Sequence, residues 1–371
     1  MRALPAAAAL AIALVACGSG ADTTRLGPAA PAASHAASPS ATQPIDLSDM
    51  MGLYGQQTVF VADAQQISAI TLLNHFTRYV IPTNGKAQVA ADSAGAYTAS
   101  PPANAGGWLY VLDGVVDVPG PARLRTFDIA GVERASRTDI GTVASTQRAM
   151  AVAVDGRVLV LKADAKHAWV DAYESLTLRP QGTLFQMPGC GDRLLASGSR
   201  IAMVCFATGQ IGIDDLHGGG TFVVDGALPH LAGAAIADDG TIWVATSDRQ
   251  LASVPFAAVA LRHLEWPTAW TGNVLPDGVA VANGADSVVF AQTDTDGSWL
   301  RVLATNVVAP RISLRLAGRT EGAPQFGVVA LAPFAYFATG GDVRHVELST
   351  GMLETMTTVG QGATVVAVVD R

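Results

Sequence analysis

Short apolar runs, each closed by a polar residue or cysteine, return along this chain at a near-constant interval. The first is Val59-Phe60-Val61-Ala62-Asp63, and the pattern recurs at 109–113, 158–162, 201–205, 242–246, 288–292 and 335–339. Successive starts lie 50, 49, 43, 41, 46 and 47 residues apart. Runs this short, rich in Val, Ile and aromatics and bounded by turn residues, read as strands buried on both faces. Repeats of about 40–50 residues built from such strands predict a β-propeller, one repeat to a blade.

The flanks of each run agree with this. Before several of them lies a strand of small apolar residues and then a turn, as at 150–155, 234–240 and 279–284. Small side chains suit an innermost strand, which crowds the axis of the ring. Asp155-Gly156 and Asp239-Gly240 are hairpin signals, because both residue types tolerate φ > 0. Two further strands follow each run; in the fifth repeat they fall at 251–255 and 261–265. The first repeat begins at its second strand, and the chain finishes on Thr364-Val365-Val366-Ala367-Val368-Val369, a strand with no repeat after it. The expected fold is all-β: a seven-bladed β-propeller over 50–371, with the C-terminal strand inserted as the innermost strand of blade 1. Pairing the ends in this way protects an exposed edge. Residues 65–76 also fit an amphipathic helix, but Gly and Asx punctuation elsewhere leaves little room for helices.

Composition narrows the class. Half of the 371 residues are apolar, 15% are charged, and there are 38 glycines and 19 prolines. That excludes a wholly disordered chain, a collagen and a coiled coil. The net charge of −8 argues against a nucleic-acid partner.

Behind Arg2, residues 3–16 form an apolar stretch of 14. A membrane-spanning helix needs about 20 such residues, so the stretch reads as the core of a secretory signal over 1–16. It ends in Leu14-Val15-Ala16-Cys17. This resembles the lipobox of bacterial lipoproteins, in which the leader is cut before the cysteine and the cysteine is lipidated. The resemblance implies lipidation at Cys17 and an extracytoplasmic chain held at a bacterial membrane by lipid alone. An ordinary signal peptide is the competing reading. Residues 17–49 hold the cysteine and an Ala/Ser/Pro-rich segment with too little large apolar surface to fold, expected to be a tether. Without Arg2 the mature chain carries 22 basic against 31 acidic residues. The nearest other approach to a span, 327–338, is interrupted by Pro333.

Cys190 and Cys205 flank a hairpin pattern with Ser197-Gly198 at its turn. Counting outward from that turn sets Cys190 opposite Cys205, within disulfide reach, and an oxidising compartment permits the bond. Two buried free thiols are the alternative. Two cysteines without a His-x-x-His set fall short of a zinc site, so no metal is expected.

Propellers bind at the mouth of the central channel, on loops joining one blade's last strand to the next blade's first. Here those positions offer Lys86, Arg148, Asp192, Arg193, His230, Asp277, Gln325 and Gln361. The guanidinium forks of Arg148 and Arg193 suit a carboxylate or another small anion. Against this stands a rim whose charges pair with one another. His230 and Asp277 form the one acid–base pair that falls on a single face. Of the other histidines, His35 falls in the tether, and the rest are expected on corners, outer strands or loops: His217 and His263, His75 and His345, and His167. The turn 293–298 partly mimics a calcium loop but lacks its first acid and its closing Glu, so a hairpin is expected. No phosphate loop, nucleophile elbow or haem motif is present, and no cofactor is expected. The loop Trp266-Pro267-Thr268-Ala269-Trp270-Thr271-Gly272-Asn273 offers two tryptophans, either to stack a sugar or anchor a protein, or to pack down as core.

The segment Ala237-Asp238-Asp239-Gly240-Thr241-Ile242-Trp243-Val244-Ala245 resembles repeats of the NHL, streptogramin-lyase-like and gluconolactonase-like propellers, in the broad class with YVTN-type repeats. The resemblance implies a fold and no single activity. The expectation is a lipid-anchored binding or scaffold module of the cell envelope, monomeric by itself, with an envelope protein, a small polar ligand or a sugar as partner. The alternative is a hydrolase or lyase acting on a lactone or ester through His230 and Asp277.

Overall fold

The run-and-turn pattern folds into seven antiparallel sheets of four strands. The computed structural model divides the chain into Met1–Asp46 and Leu47–Arg371. The residues it describes are 57–370, apart from 86, 92–108, 114–121, 129, 142, 145–147, 217–219, 225–227, 257, 259, 283–285, 319–327 and 361. Among them every regular element is a strand, and no helix is long and apolar enough to cross a membrane. The protein is a seven-bladed β-propeller.

Burial runs outward along each blade. The innermost strands are Thr364–Asp370, Ala87–Ala91, Met150–Val152, Arg193–Ser197, Leu231–Ile236, Asn273–Ala282 and Val329–Leu331 for blades 1 to 7. Crowding at the axis explains their small residues: a Cβ on Gly233 of blade 5 would lie 2.8 Å from Val279 of blade 6. The second strands carry the repeating apolar run. Leu109–Asp113, Arg200–Val204 and Ile242–Thr246 are buried along their whole length, because blades cover both of their faces. Outer strands such as Glu133–Arg137 are largely exposed or half-buried. The core lies between blades, in clusters that each join neighbours around the ring.

The ring closes as the sequence predicts. Thr364–Asp370 pairs antiparallel with Gln57–Ala62, Thr58 opposite Val369 and Ala62 opposite Thr364. Gln57 then ties blade 1 to blade 7: its Nε2 donates to the Ala332 carbonyl at 2.8 Å, and the Tyr336 hydroxyl donates to its Oε1. Tyr336 and Ala338 pack with Val59, Val61, Val365 and Val368 across the seam.

One alternative falls away and two local expectations change. Residues 65–76 form no helix: Gln66–Thr71 is the third strand of blade 1. The blade 4 hairpin pairs Ser197 with Arg200, so it turns on Gly198-Ser199, one residue later than expected, with Gly198 at φ +56°. His345 is buried rather than on the surface, edge-on to Phe334 at 4.9 Å between centroids. The 293–298 segment is a hairpin, Asp294 opposite Gly297. The Asp294 carboxylate accepts from the N–H groups of Asp296 (2.8 Å) and Gly297 (3.1 Å), capping its own turn.

The antiparallel order gives the ring two unlike faces. Connections from each outer strand to the next inner strand, and from second to third strands, lie on the mouth face. Connections from first to second and from third to fourth strands lie on the opposite face.

Candidate functional site at the channel mouth

The longest inner strand, Asn273–Ala282, is also the least regular. Val274 faces Gln292 and Val279 faces Phe290, so residues 275–278 bulge against a single partner residue. The sequence Leu-Pro-Asp-Gly explains why. Proline supplies no N–H for the ladder, and Asp277 takes φ +57°, a conformation that aspartate tolerates better than most residues. Gly278 has no room for a side chain, since a Cβ there would lie 2.7 Å from the Leu275 carbonyl oxygen and 2.8 Å from that of Ala291. Bulges of this kind re-aim side chains.

This bulge sets the Asp277 carboxylate between two arginines from other blades. Arg148 Nε donates to its Oδ2 at 2.9 Å, and Arg193 Nη2 donates to its Oδ1 at 2.7 Å. The arginines are themselves neighbours, because Arg148 and Arg193 form a parallel bridge and Leu194 N donates to the Arg148 carbonyl at 2.9 Å. Arg148 Nη2 also reaches the Val328 carbonyl of blade 7 at 3.4 Å. One cluster thus ties blades 3, 4, 6 and 7 together across the channel mouth.

Among the described residues the cluster sets two guanidinium groups on the Asp277 carboxylate. Arg193 is 1% exposed, and its Nε and Nη1 have no hydrogen-bond partner among the described residues. Burial pulls its pKa down to about 9; Asp277 opposes that shift and Arg148 adds to it by repulsion. The group is therefore a strained cation at neutral pH. Arg148 keeps about a quarter of its side chain exposed (27%) and is the part that solvent meets.

Gln88, on the inner strand of blade 2, belongs to the same buried girdle. Its Oε1 accepts from Ala149 N at 2.7 Å, and its Nε2 is buried without a partner among the described residues. Sequence reasoning missed it. The available signal was a glutamine inside Ala87-Gln88-Val89-Ala90, a strand otherwise made of small apolar residues.

His230 lies elsewhere. It is exposed at φ +63°, with its backbone N–H on the Ala207 carbonyl at 3.3 Å. No hydrogen bond or ion pair joins it to Asp277 among the described residues, and both Asp277 oxygens are engaged by guanidinium groups. Asp192 is turned inward, accepting from Phe206 N at 2.7 Å. Lys86, Gln325, Gln361 and Cys17 lie outside the described residues.

The tryptophan loop packs down. Trp270 is buried, and Trp266 sits edge-on to Phe290 at 5.1 Å between centroids, with its Nε1 donating to the Trp270 carbonyl at 3.2 Å. Both rings belong to the core between blades 5 and 6, so the loop offers its backbone rather than its rings to solvent.

Cys190 and Cys205 form a disulfide with Cα atoms 5.2 Å apart. The strand pairing opposes Arg193 to Val204, so Cys190 lies beyond the ladder; the Gly189-Cys190-Gly191 turn brings it to Cys205. Asp192 stands near both sulfurs. Sulfurs bonded to each other have no thiolate to give a metal.

No family model matches this chain, and no curated protein matches it. Solved structures are similar to it in outline. A chain of the nidogen/laminin complex has 11% identity and a TM-score of 0.47, over 82% of this chain and 93% of that one. BamB from Moraxella catarrhalis has 13% identity and a TM-score of 0.48, over 81% and 85%. The computationally designed Ika8 protein has 14% identity and a TM-score of 0.49, over 81% and 87%. The fold assignment above stands on the strand pairing of this chain.

Proposed function

We propose that this protein is a lipid-anchored extracytoplasmic binding module of a bacterial envelope, whose channel mouth takes an anionic group from its ligand or partner. The observation that carries this reading is that Arg148 and Arg193 share the carboxylate of Asp277 at the mouth, and that among the described residues two N–H groups of Arg193 have no acceptor. A carboxylate or phosphate reaching the partly exposed Arg148 would add a second anion to the pair of guanidinium groups. Charge-assisted bonds to a guanidinium are the strong kind, and their fork selects planar anions. The Cys190–Cys205 disulfide suits an oxidising compartment, and the Leu14-Val15-Ala16-Cys17 sequence supplies the anchor. A hydrolase acting through His230 and Asp277 finds less support, because Asp277 is held by the arginines and cannot orient His230.

The test is thermal unfolding of the full-length protein against a panel of small carboxylates, phosphate and neutral sugars, with cross-linking in native membranes alongside. Saturable stabilisation by an anion, absent in Arg148→Ala, is the expected result. A 100-fold excess over Kd stabilises by about 2.7 kcal/mol. Stabilisation by neutral sugars alone, or an anion response unchanged in Arg148→Ala, overturns the anion reading. Ester or lactone turnover lost in His230→Ala replaces it with the enzyme.

A further inference from the structure

The face opposite the mouth shows the reverse anomaly. The four most exposed large apolar side chains among the described residues are Leu73 (73%), Phe76 (69%), Val307 (69%) and Met352 (58%). Each lies on the turn between the third and fourth strands of its blade: Leu73 and Phe76 in blade 1, Val307 in blade 6, Met352 in blade 7. Blades 6, 7 and 1 are consecutive around the ring, so these turns form one arc on one face.

The turns are held in place rather than frayed. His75 N donates to Thr71 O at 3.0 Å in the first, Gly351 N to Glu347 O at 2.8 Å in the last, and Thr305 N to Asp286 O at 2.9 Å between them. An exposed apolar cluster on a fixed backbone is a marker of an interaction surface.

The chain itself indicates the occupant. Gln57, the first described residue, begins the second strand of blade 1 on this same face. Its carbonyl accepts from Leu72 N at 2.9 Å, next to Leu73, and its side chain reaches the Ala332 carbonyl of blade 7. The segment leading back to Cys17 therefore leaves from within the apolar arc. Cys17 precedes Gln57 by 40 positions, and a chain of that length spans at most about 140 Å. An anchor at its far end holds this arc at high local concentration over the bilayer.

We infer that the arc of Leu73, Phe76, Val307 and Met352 is a membrane-docking face, which seats the propeller on the lipid surface with its mouth turned away. The inference rests on the lipid-anchor reading above. Aliphatic and aromatic side chains entering the headgroup–acyl boundary are the usual means of such seating. The arc gains its affinity from apolar burial, about tenfold in partition for each side chain that inserts.

The experiment uses the full, lipid-bearing protein in vesicles of phosphatidylethanolamine and phosphatidylglycerol. An environment-sensitive fluorophore is attached at Met352→Cys or, on the mouth face, at Asp248→Cys, and quenched by lipids brominated along the acyl chain. Quenching at 352 and none at 248 is the expected result, abolished when Leu73, Phe76 and Val307 are all changed to Ser. Equal quenching at both positions, or none at 352, overturns the docking face. A probe at 352 that is unquenched in pure lipid but shielded in native membranes also overturns it, and assigns the arc to a protein. The anchor is read separately, by detergent-phase partitioning of the protein against Cys17→Ser. Equal partitioning of those two refutes the anchor and leaves the quenching result to stand or fall by itself.

Discussion

The two faces of this propeller break the ordinary rule of burial in opposite directions. On the mouth face, Arg193 is buried with unpaired N–H groups beside a shared carboxylate. On the opposite face, Leu73, Phe76, Val307 and Met352 stand in solvent on well-formed turns. Charged groups are seldom fully buried without pairing, and contiguous apolar patches are seldom left bare. Neither feature is required by the propeller, whose core lies between blades. The mouth is a costly arrangement that holds the ring's own strands together across the channel. The arc residues stand mostly in solvent, so changing them is expected to leave what lies beneath undisturbed. On the readings proposed above, stability and function are mixed at one end of the molecule and separable at the other.

The sharpest way to break that contrast is to remove the carboxylate. Asp277→Ala leaves two guanidinium groups facing each other, and breaking a buried pair costs about 3–5 kcal/mol. Chemical denaturation reads this directly. Arg193→Met in the Asp277→Ala background should recover much of the loss, because an apolar group of similar length removes the stranded charge. A loss below about 1 kcal/mol in Asp277→Ala would show the cluster to be a solvated rim.

A smaller effect comes from His345, near the apolar arc at the seam between blades 7 and 1. Burial lowers its pKa, opposed by Glu354 and reinforced by His75. The unfolded chain then takes up the proton at higher pH than the folded one. Stability is complete above the unfolded histidine value of about 6.5 and is lost as pH falls through the folded one. Melting temperature followed from pH 8 to pH 5 should decline below about pH 6.5, less steeply in His345→Gln. An unchanged slope in that variant assigns the acid sensitivity to another group.

The smallest effect is expected on the arc. Changing Leu73, Phe76, Val307 or Met352 to Ser should move folding stability by no more than about 0.5 kcal/mol each. Membrane seating should weaken about tenfold with each change all the same, and be lost when Leu73, Phe76 and Val307 are changed together. A large destabilisation by any one of them would make the arc part of the core and erase the contrast between the faces.

Sequence reasoning recovered the architecture because the propeller is written in local repeats. The apolar run of the second strand, buried on both faces, reappears in every blade, and Thr364–Asp370 has no partner except the first repeat. The disulfide pair was also legible, although the counting behind it was off. The hairpin turns one residue later, and a Gly-Cys-Gly turn does the joining. A ring position can be counted along the chain, and so Arg148, Arg193 and Asp277 are expected on the loops of one mouth, together with Lys86, Asp192, His230, Gln325 and Gln361.

Their partnership could not be read in this way. Whether Asp277 serves a histidine or two arginines depends on the bulge at 275–278, which is set by local backbone sterics against Ala291 and has no periodic signature. The direction of Trp266 and Trp270 depended on whether Phe290 of the next blade left them a place to pack. Periodic burial is a property of each segment and its own residues, and the sequence by itself determined the strands, the blades and the closure of the ring. Which side chain meets which across the channel, and which turns share a face with the chain's point of entry, are relations between segments far apart in sequence. Only the closed ring brings those segments together, and so the tertiary structure alone decided the charge cluster at one end and the apolar arc at the other.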